Sequence, residues 1–220
     1  MAIRMFRYLF ALCLRFGFYL LYNPLAFTYD WVSAFVSRGQ WRAWTRAAMP
    51  YIVGTRVLDI PSGTGNLLLD LRAAGYASIG VDVSAAMLQI TRAKFARARL
   101  PAPILRARAQ ALPFAAGAFD SITLTFPPGF VREPRAWAEL ARMLADDGRV
   151  IWVDAARLLP RDVPSRALDR ALDVVGGGGM PFQEFARMVL ARAGLDAHIE
   201  IVRDETSVVT IVLATKRRAE

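Results

Sequence analysis

The chain has 220 residues, enough to bury a core without disulfides or metals, and its single cysteine, Cys13, excludes an internal disulfide. The formal charge of +9 comes almost wholly from arginine, with Lys94 and Lys216 as the lysines, so the surface either attracts anions such as nucleic acid or acidic lipid or is simply a solvated arginine-rich one. No basic block, RNA-binding signature or zinc-spaced cysteine–histidine cluster accompanies that charge, so nucleic acid and metal are not expected; lone-thiol usage points to a reducing compartment, the cytoplasm.

Composition divides the chain into a helical segment over residues 1–50 and a domain over 51–220. The first segment holds Arg4, Arg7, Arg15, Arg38, Arg42 and Arg46 against one acid, Asp30, in an aromatic and aliphatic background. Over residues 3–22, at about 100° per residue, Arg4, Arg7 and Arg15 fall within an arc of roughly 80°, beside Tyr8, Tyr19 and Tyr22. Arg15 interrupts the apolar run that a spanning helix or a cleaved signal would need. An interfacial helix on the inner, anionic face of a membrane fits the pattern, and packing on the domain or a dimer contact is the competing reading. Asn23-Pro24 should end this helix, Leu25 to Ser37 reads as a second, and Arg38-Gly39-Gln40 opens a third through Trp41, Trp44 and Met49.

Next comes Val57-Leu58-Asp59-Ile60-Pro61-Ser62-Gly63-Thr64-Gly65-Asn66-Leu67-Leu68, an apolar strand that runs through an acid into Gly-x-Gly and a helix. Glycines remove Cβ atoms where the backbone bends and approaches a ligand, the acid ends the strand at the crevice, and the helix start offers free N–H groups to an anion. A dinucleotide fingerprint would need glycine at 61, 63 and 66, where Pro61, Gly63 and Asn66 stand, which disfavours an NAD oxidoreductase.

Strands and helices then alternate: Arg56–Ile60, a helix from Gly63 to Ala74, Ser78–Asp82, a helix from Ser84 to Arg99, Ile104–Ala107, Ser121–Leu124, a helix Pro134–Ala145, and Val150–Asp154. This predicts an α/β doubly wound, mostly parallel sheet. A helix Pro181–Ala193 and two hairpin strands, Ala197–Arg203 and Ser207–Thr215, complete it. Gly176-Gly177-Gly178-Gly179 reads as a loop, either a hinge over the site or a linker. His198, the sole histidine, falls on a late strand and is expected to be structural.

The turn at 59–65 resembles motif I of the class I S-adenosylmethionine (SAM) methyltransferases, an acid followed by small residues and Gly-Thr-Gly, with Pro61 where that family has a first glycine. Downstream, Gly80 to Leu88 resembles the end of its second strand, Ala109-Gln110-Ala111-Leu112-Pro113-Phe114 its adenine-side loop, Phe119 to Leu124 its fourth strand, and Ala138 to Val150 the helix, turn and strand that follow. The resemblance implies a seven-stranded Rossmann-like sheet and SAM as cofactor. It implies binding roles for Asp59, Ser62, Gly63, Thr64, Gly65 and Asn66, for Asp82 on the ribose with Val83 and Met87, for Gln110, Ala111 and Leu112, and for Thr125. Many members carry an acid at the position of Arg108, and arginine cannot accept from the adenine amino group, which Gln110 or the backbone of Ala109 and Ala111 could do instead. Tyr29-Asp30 before an apolar helix and a Gly-x-Trp element is similar to the lid of the ubiquinone/menaquinone-type methyltransferases, which adds Tyr29 to the site.

A methyl on a sulfonium already has an activated leaving group, so alignment and desolvation suffice and no catalytic triad is expected. Tyr22, Tyr29, Glu133 and Asp154 are candidates to take a proton from an acceptor. Phe126, where amino-methylating relatives carry a polar residue, makes the Thr125-Phe126-Pro127-Pro128-Gly129-Phe130 loop an apolar wall. The expectation is methyl transfer to a small hydrophobic acceptor, quinone-like or lipid. The alternative is a non-catalytic SAM-fold module that binds a membrane or a protein partner.

Overall fold

The computed structural model describes residues 12–13, 16–159 and 181–217. The expectations for Arg4, Arg7, Tyr8 and Arg15 and for the four-glycine loop lie outside them. Strands β1 (Arg56–Asp59), β2 (Ala77–Asp82), β3 (Ile104–Arg106), β4 (Phe119–Thr125), β5 (Leu144–Leu158), β6 (Leu195–Arg203) and β7 (Ser207–Lys216) form one seven-stranded sheet in the order β3-β2-β1-β4-β5-β7-β6. Neighbours from β3 through β5 pair in parallel, and β7 runs antiparallel to both β5 and β6. The expected doubly wound, mostly parallel sheet is therefore present, with β7 reversed.

Parallel strands buried on both faces need unbroken apolar runs, and β1 and β4 supply them: Val57, Leu58, Ile122 and Leu124 are fully buried. The helices are α1 (Tyr29–Val36), α2 (Trp41–Arg46), α3 (Asn66–Ala73), α4 (Ala85–Arg97), α5 (Pro134–Met143) and α6 (Phe182–Arg192). Helix α3 starts at Asn66 rather than Gly63, because Gly63 (φ 53°) and Gly65 (φ 76°) are left-handed and cannot propagate a helix. Helix α4 is capped by Ser84, whose hydroxyl accepts from the Met87 N–H at 3.2 Å. Strand β5 runs well beyond the predicted Val150–Asp154, since β7 pairs along it from Arg149↔Thr215 to Leu158↔Ser207 around a bulge between Val153 and Ala155.

The N-terminal elements roof the C-terminal ends of β1 and β2. A helical stretch over 16–22 breaks at Asn23-Pro24 as expected, a short 3-10 turn Ala26–Thr28 leads into α1, and α2 ends in a second one, Met49–Tyr51. Polar ties hold this roof down. Arg42 and Arg46 of α2 both fork onto Asp70 of α3, with Nη2 atoms 2.6 Å from Oδ1. Asp30 of α1 accepts from Thr64 Oγ1 at 2.7 Å and Asn66 Nδ2 at 3.0 Å and pairs with Lys94 Nζ of α4 at 2.6 Å. Ser84 Oγ donates to the Tyr22 carbonyl at 2.6 Å.

Candidate functional site: a cavity between the glycine turn and the roof

A cavity of about 590 Å³ opens at the C-terminal edge of β1, β2 and β4, where an open parallel sheet leaves a crevice. Its floor is the turn from Ile60 to Asn66 and the end of β2, with Ser62, Gly63, Thr64, Asn66, Asp82 and Val83 on the wall. One side is the loop after β3, carrying Arg106, Arg108 and Gln110; the other is Thr125, Phe126, Pro128 and Phe130 after β4. The roof adds Tyr19, Tyr22, Tyr29, Trp41 and Thr45.

The turn is shaped to leave room. A Cβ built on Gly63 would meet nothing within 4 Å, so the missing side chain there serves an approaching ligand rather than packing. At Gly65 it would lie 2.5 Å from Thr91 Cγ2, so the second glycine serves the contact between the turn and α4. Thr91 closes that contact by donating to the Gly63 carbonyl at 3.0 Å.

Asp82 accepts from the Gly63 N–H at 2.9 Å and the Ser84 N–H at 2.8 Å, which aims it along the floor. Burial raises its pKa, and hydrogen bonds from the Ser84, Gly63 and Val83 backbone only partly offset that. Asp59 sits behind the turn rather than on the cavity wall. Its Oδ1 accepts from Thr123 Oγ1 at 3.0 Å, while Oδ2 is buried without a partner, as is the Ser62 hydroxyl. Burial pushes Asp59 up to about 7, with the Thr123 hydroxyl opposing and the Asp82 charge adding to the rise. Asp30 behaves oppositely: burial would raise it, but the hydrogen bonds and charge of Lys94, with Thr64 and Asn66, hold it below the ordinary carboxylate range.

Aromatic rings make up the far wall. Tyr22 and Tyr29 have centroids 5.7 Å apart, Tyr29 meets Trp41 edge-on at 6.1 Å, and Trp41 stacks on Phe126 at 4.5 Å. Phe126 adopts a left-handed backbone (φ 49°), costly for a bulky side chain, and is held there by that stack and by its N–H donating to the Val153 carbonyl at 2.8 Å. Burial raises both tyrosines, Tyr29 the more strongly, with the nearby Asp82 charge adding to each.

Of the residues singled out in the sequence, Tyr29, Ser62, Gly63, Thr64, Asn66, Asp82, Val83, Gln110 and Thr125 line the cavity. Asp59, Gly65, Met87, Ala111 and Leu112 do not: Met87 and Leu112 are core side chains, Ala111 faces solvent, and Gly65 contacts α4. Glu133 is outside too, accepting from Gln110 Nε2 at 2.7 Å, which leaves the Gln110 carbonyl as its free acceptor. Asp154, raised to about 6 mainly by burial, also lies off the wall. His198 is exposed, 3.2 Å from Glu200 on its own strand and away from the cavity. Sequence reasoning missed Tyr19, Trp41 and Thr45 as wall residues; the aromatic density of residues 1–50 was the signal for the first two, and none pointed to Thr45.

A model of the methyltransferase domain matches residues 57–148. A ubiquinone/menaquinone biosynthesis C-methyltransferase UbiE from Geotalea uraniireducens is 33% identical over 171 residues, covering 71% of this chain and 72% of the relative. The chain belongs to the class I SAM-dependent methyltransferases. A demethylmenaquinone methyltransferase from Thermus thermophilus is 36% identical over 137 residues, or 60% of this chain, which spans only 62% of that relative's length. Among solved structures, a SAM-dependent methyltransferase from Thermotoga maritima superposes with a TM-score of 0.66 over 90% of this chain and 99% of its own, at 18% identity, a likeness of fold. The residues present suit the family's cofactor: open space over Gly63, an aimed carboxylate on Asp82, and a partnerless Ser62 hydroxyl on a wall residue.

Proposed function

We propose that the protein transfers a methyl group from SAM to a small, flat, hydrophobic acceptor of the quinone type, at or near a membrane surface. The observation that carries this reading is the split of one cavity into a polar floor fit for a nucleoside and a wall of stacked aromatic rings fit for an apolar ring. Asp82 would hold the ribose hydroxyls, Ser62 to Asn66 the amino-acid end, and the Gln110 carbonyl the adenine amino group, in place of the acid that Arg108 replaces. When bound, SAM supplies a methyl group on a sulfonium. The chain's own work is to align and dry the acceptor.

Phe126, Phe130 and Trp41 would form the apolar wall against which the acceptor ring lies, and Phe126 offers no side-chain carbonyl to hold an amine, which favours a carbon or oxygen acceptor. Tyr22 and Tyr29, raised above the ordinary phenol range, stay protonated at neutral pH and hydrogen-bond to each other, so one phenol O–H would be left to donate to an acceptor oxygen, and neither would abstract a proton.

The test is calorimetric titration with S-adenosylhomocysteine beside Asp82→Ala, followed by transfer of labelled methyl to an apolar hydroquinone. Saturable binding that weakens by about a hundredfold in the variant is expected, since a charge-assisted hydrogen-bonded group is removed. No binding to the intact protein would overturn the reading. Binding without transfer to any apolar ring would remove the acceptor class and keep the cofactor.

A further inference from the structure

Helix α1, with the 3-10 turn before it, is amphipathic the wrong way round for a helix on a water-soluble surface. The side turned to the protein carries Ala26, Ser33 and Ser37, all buried. The side turned outward carries Phe27, Trp31 and Phe35, which are 70%, 81% and 86% exposed. These aromatics stand at i, i+4 and i+8 and cover an arc of about 80° at about 100° per residue, so they form one continuous face. Ser33 and Ser37 are satisfied within the segment, their hydroxyls donating to the Asp30 and Ala34 carbonyls. The inward face is therefore at rest, and the outward one exposes large rings side by side, which marks an interaction site.

Charge identifies the occupant. By sequence, residues 1–50 hold six arginines, of which Arg38, Arg42 and Arg46 are among the described residues, against one acid, Asp30, which is engaged with Thr64, Asn66 and Lys94. On the next helix Arg42 and Arg46 share the single carboxylate of Asp70, so that trio keeps a net positive charge. A second copy of the chain would bring the same positive charge to the contact, whereas a bilayer with anionic headgroups offers opposite charge outside and an apolar layer for the rings. Tryptophan is a side chain suited to that boundary.

We infer that Phe27, Trp31 and Phe35 form a docking face that inserts into the interface of an anionic bilayer. The sequence pattern places a lipid-facing surface on residues 3–22; this docking face lies downstream of it, on α1 and the turn before it. Tyr22 and Tyr29, on either side of this turn, line the cavity, so docking would set the cavity mouth against the lipid from which an apolar acceptor comes. That last step rests on the proposed function; the docking itself does not.

Flotation of the full chain with phosphatidylcholine vesicles, with and without phosphatidylglycerol, tests it. Wild type should float with the anionic vesicles, and a Trp31→Ser/Phe35→Ser double variant should lose at least about tenfold in partitioning. Both substitutions are on the solvent face, so thermal unfolding and S-adenosylhomocysteine affinity should match wild type, which separates failure of this face from failure of the cofactor site. Equal flotation of variant and wild type would overturn the inference. So would a wild type that ignores vesicles and dimerises, through this face, in sedimentation experiments.

Discussion

The floor of the cavity and its roof are built on different principles. On the floor, backbone conformation does the positioning: left-handed Gly63 and Gly65 bend the chain, and the Gly63 and Ser84 N–H groups aim Asp82. On the roof, two carboxylates do it. Asp70 holds α2 through two arginines, and Asp30 holds α1 to the turn and to α4. A site half fixed by backbone and half by removable polar ties can hold a cofactor firmly while its cover moves to admit an acceptor.

The sharpest way to break that contrast is at the glycines. Gly65→Val adds a left-handed β-branched residue whose Cβ would fall 2.5 Å from Thr91 Cγ2, and should cost about 3 kcal/mol or more in urea unfolding. Gly63→Ala meets nothing within 4 Å and should cost only about 1 kcal/mol for its positive φ, yet abolish S-adenosylhomocysteine binding by filling ligand space. Equal stability losses in the two would mean that the turn's glycines serve one purpose, not two.

On the roof, Asp70→Ala should lower stability by about 2 kcal/mol, because charge-assisted bonds from two partly exposed arginines are lost and the arginines are left to repel each other. Its S-adenosylhomocysteine affinity should stay near wild type. Asp30→Ala should do the reverse, costing about 1 kcal/mol in stability but about tenfold in affinity, since Thr64 and Asn66 on the cavity wall lose their common partner. If both variants affect only stability, the Asp30 tie is a packing contact and not a coupling between cover and cofactor turn.

What could be read from the sequence follows the same division. The floor was legible because a strand, an acid and two glycines within a few residues carry their geometry locally, and the sheet followed from alternating apolar runs. Met87 and Leu112 looked like site residues because they neighbour Asp82 and Gln110 in sequence, yet Met87 falls on the buried side of α4 and Leu112 folds into the core from an irregular loop. The roof was legible as helices, as aromatic content and, through the lid resemblance, in Tyr29 alone of its wall residues. Its ties join residues far apart in sequence, Thr64 lying 34 positions from Asp30 and Arg42 lying 28 from Asp70, and no local pattern announces such pairs. Nor could the outward aromatics of α1 be told from core residues until their burial was known.

The remaining test is one of pH and concerns Asp59, the acid expected in the crevice that instead sits behind the turn. Its carboxyl is raised to about 7 because burial disfavours the charge, with Oδ2 unpartnered and Asp82 nearby. An unfolded chain would ionise it near the ordinary carboxylate pKa, about 4, so the folded state holds the extra proton between those values. Asp59 therefore contributes stability that is fully present at acid pH and is lost as pH rises through about 7. Asp59→Asn, which mimics the protonated form, should flatten the fall in melting temperature over this window. Superimposable pH profiles for wild type and variant would mean that Asp59 is already ionised at neutral pH and that its buried oxygen has found a partner in water.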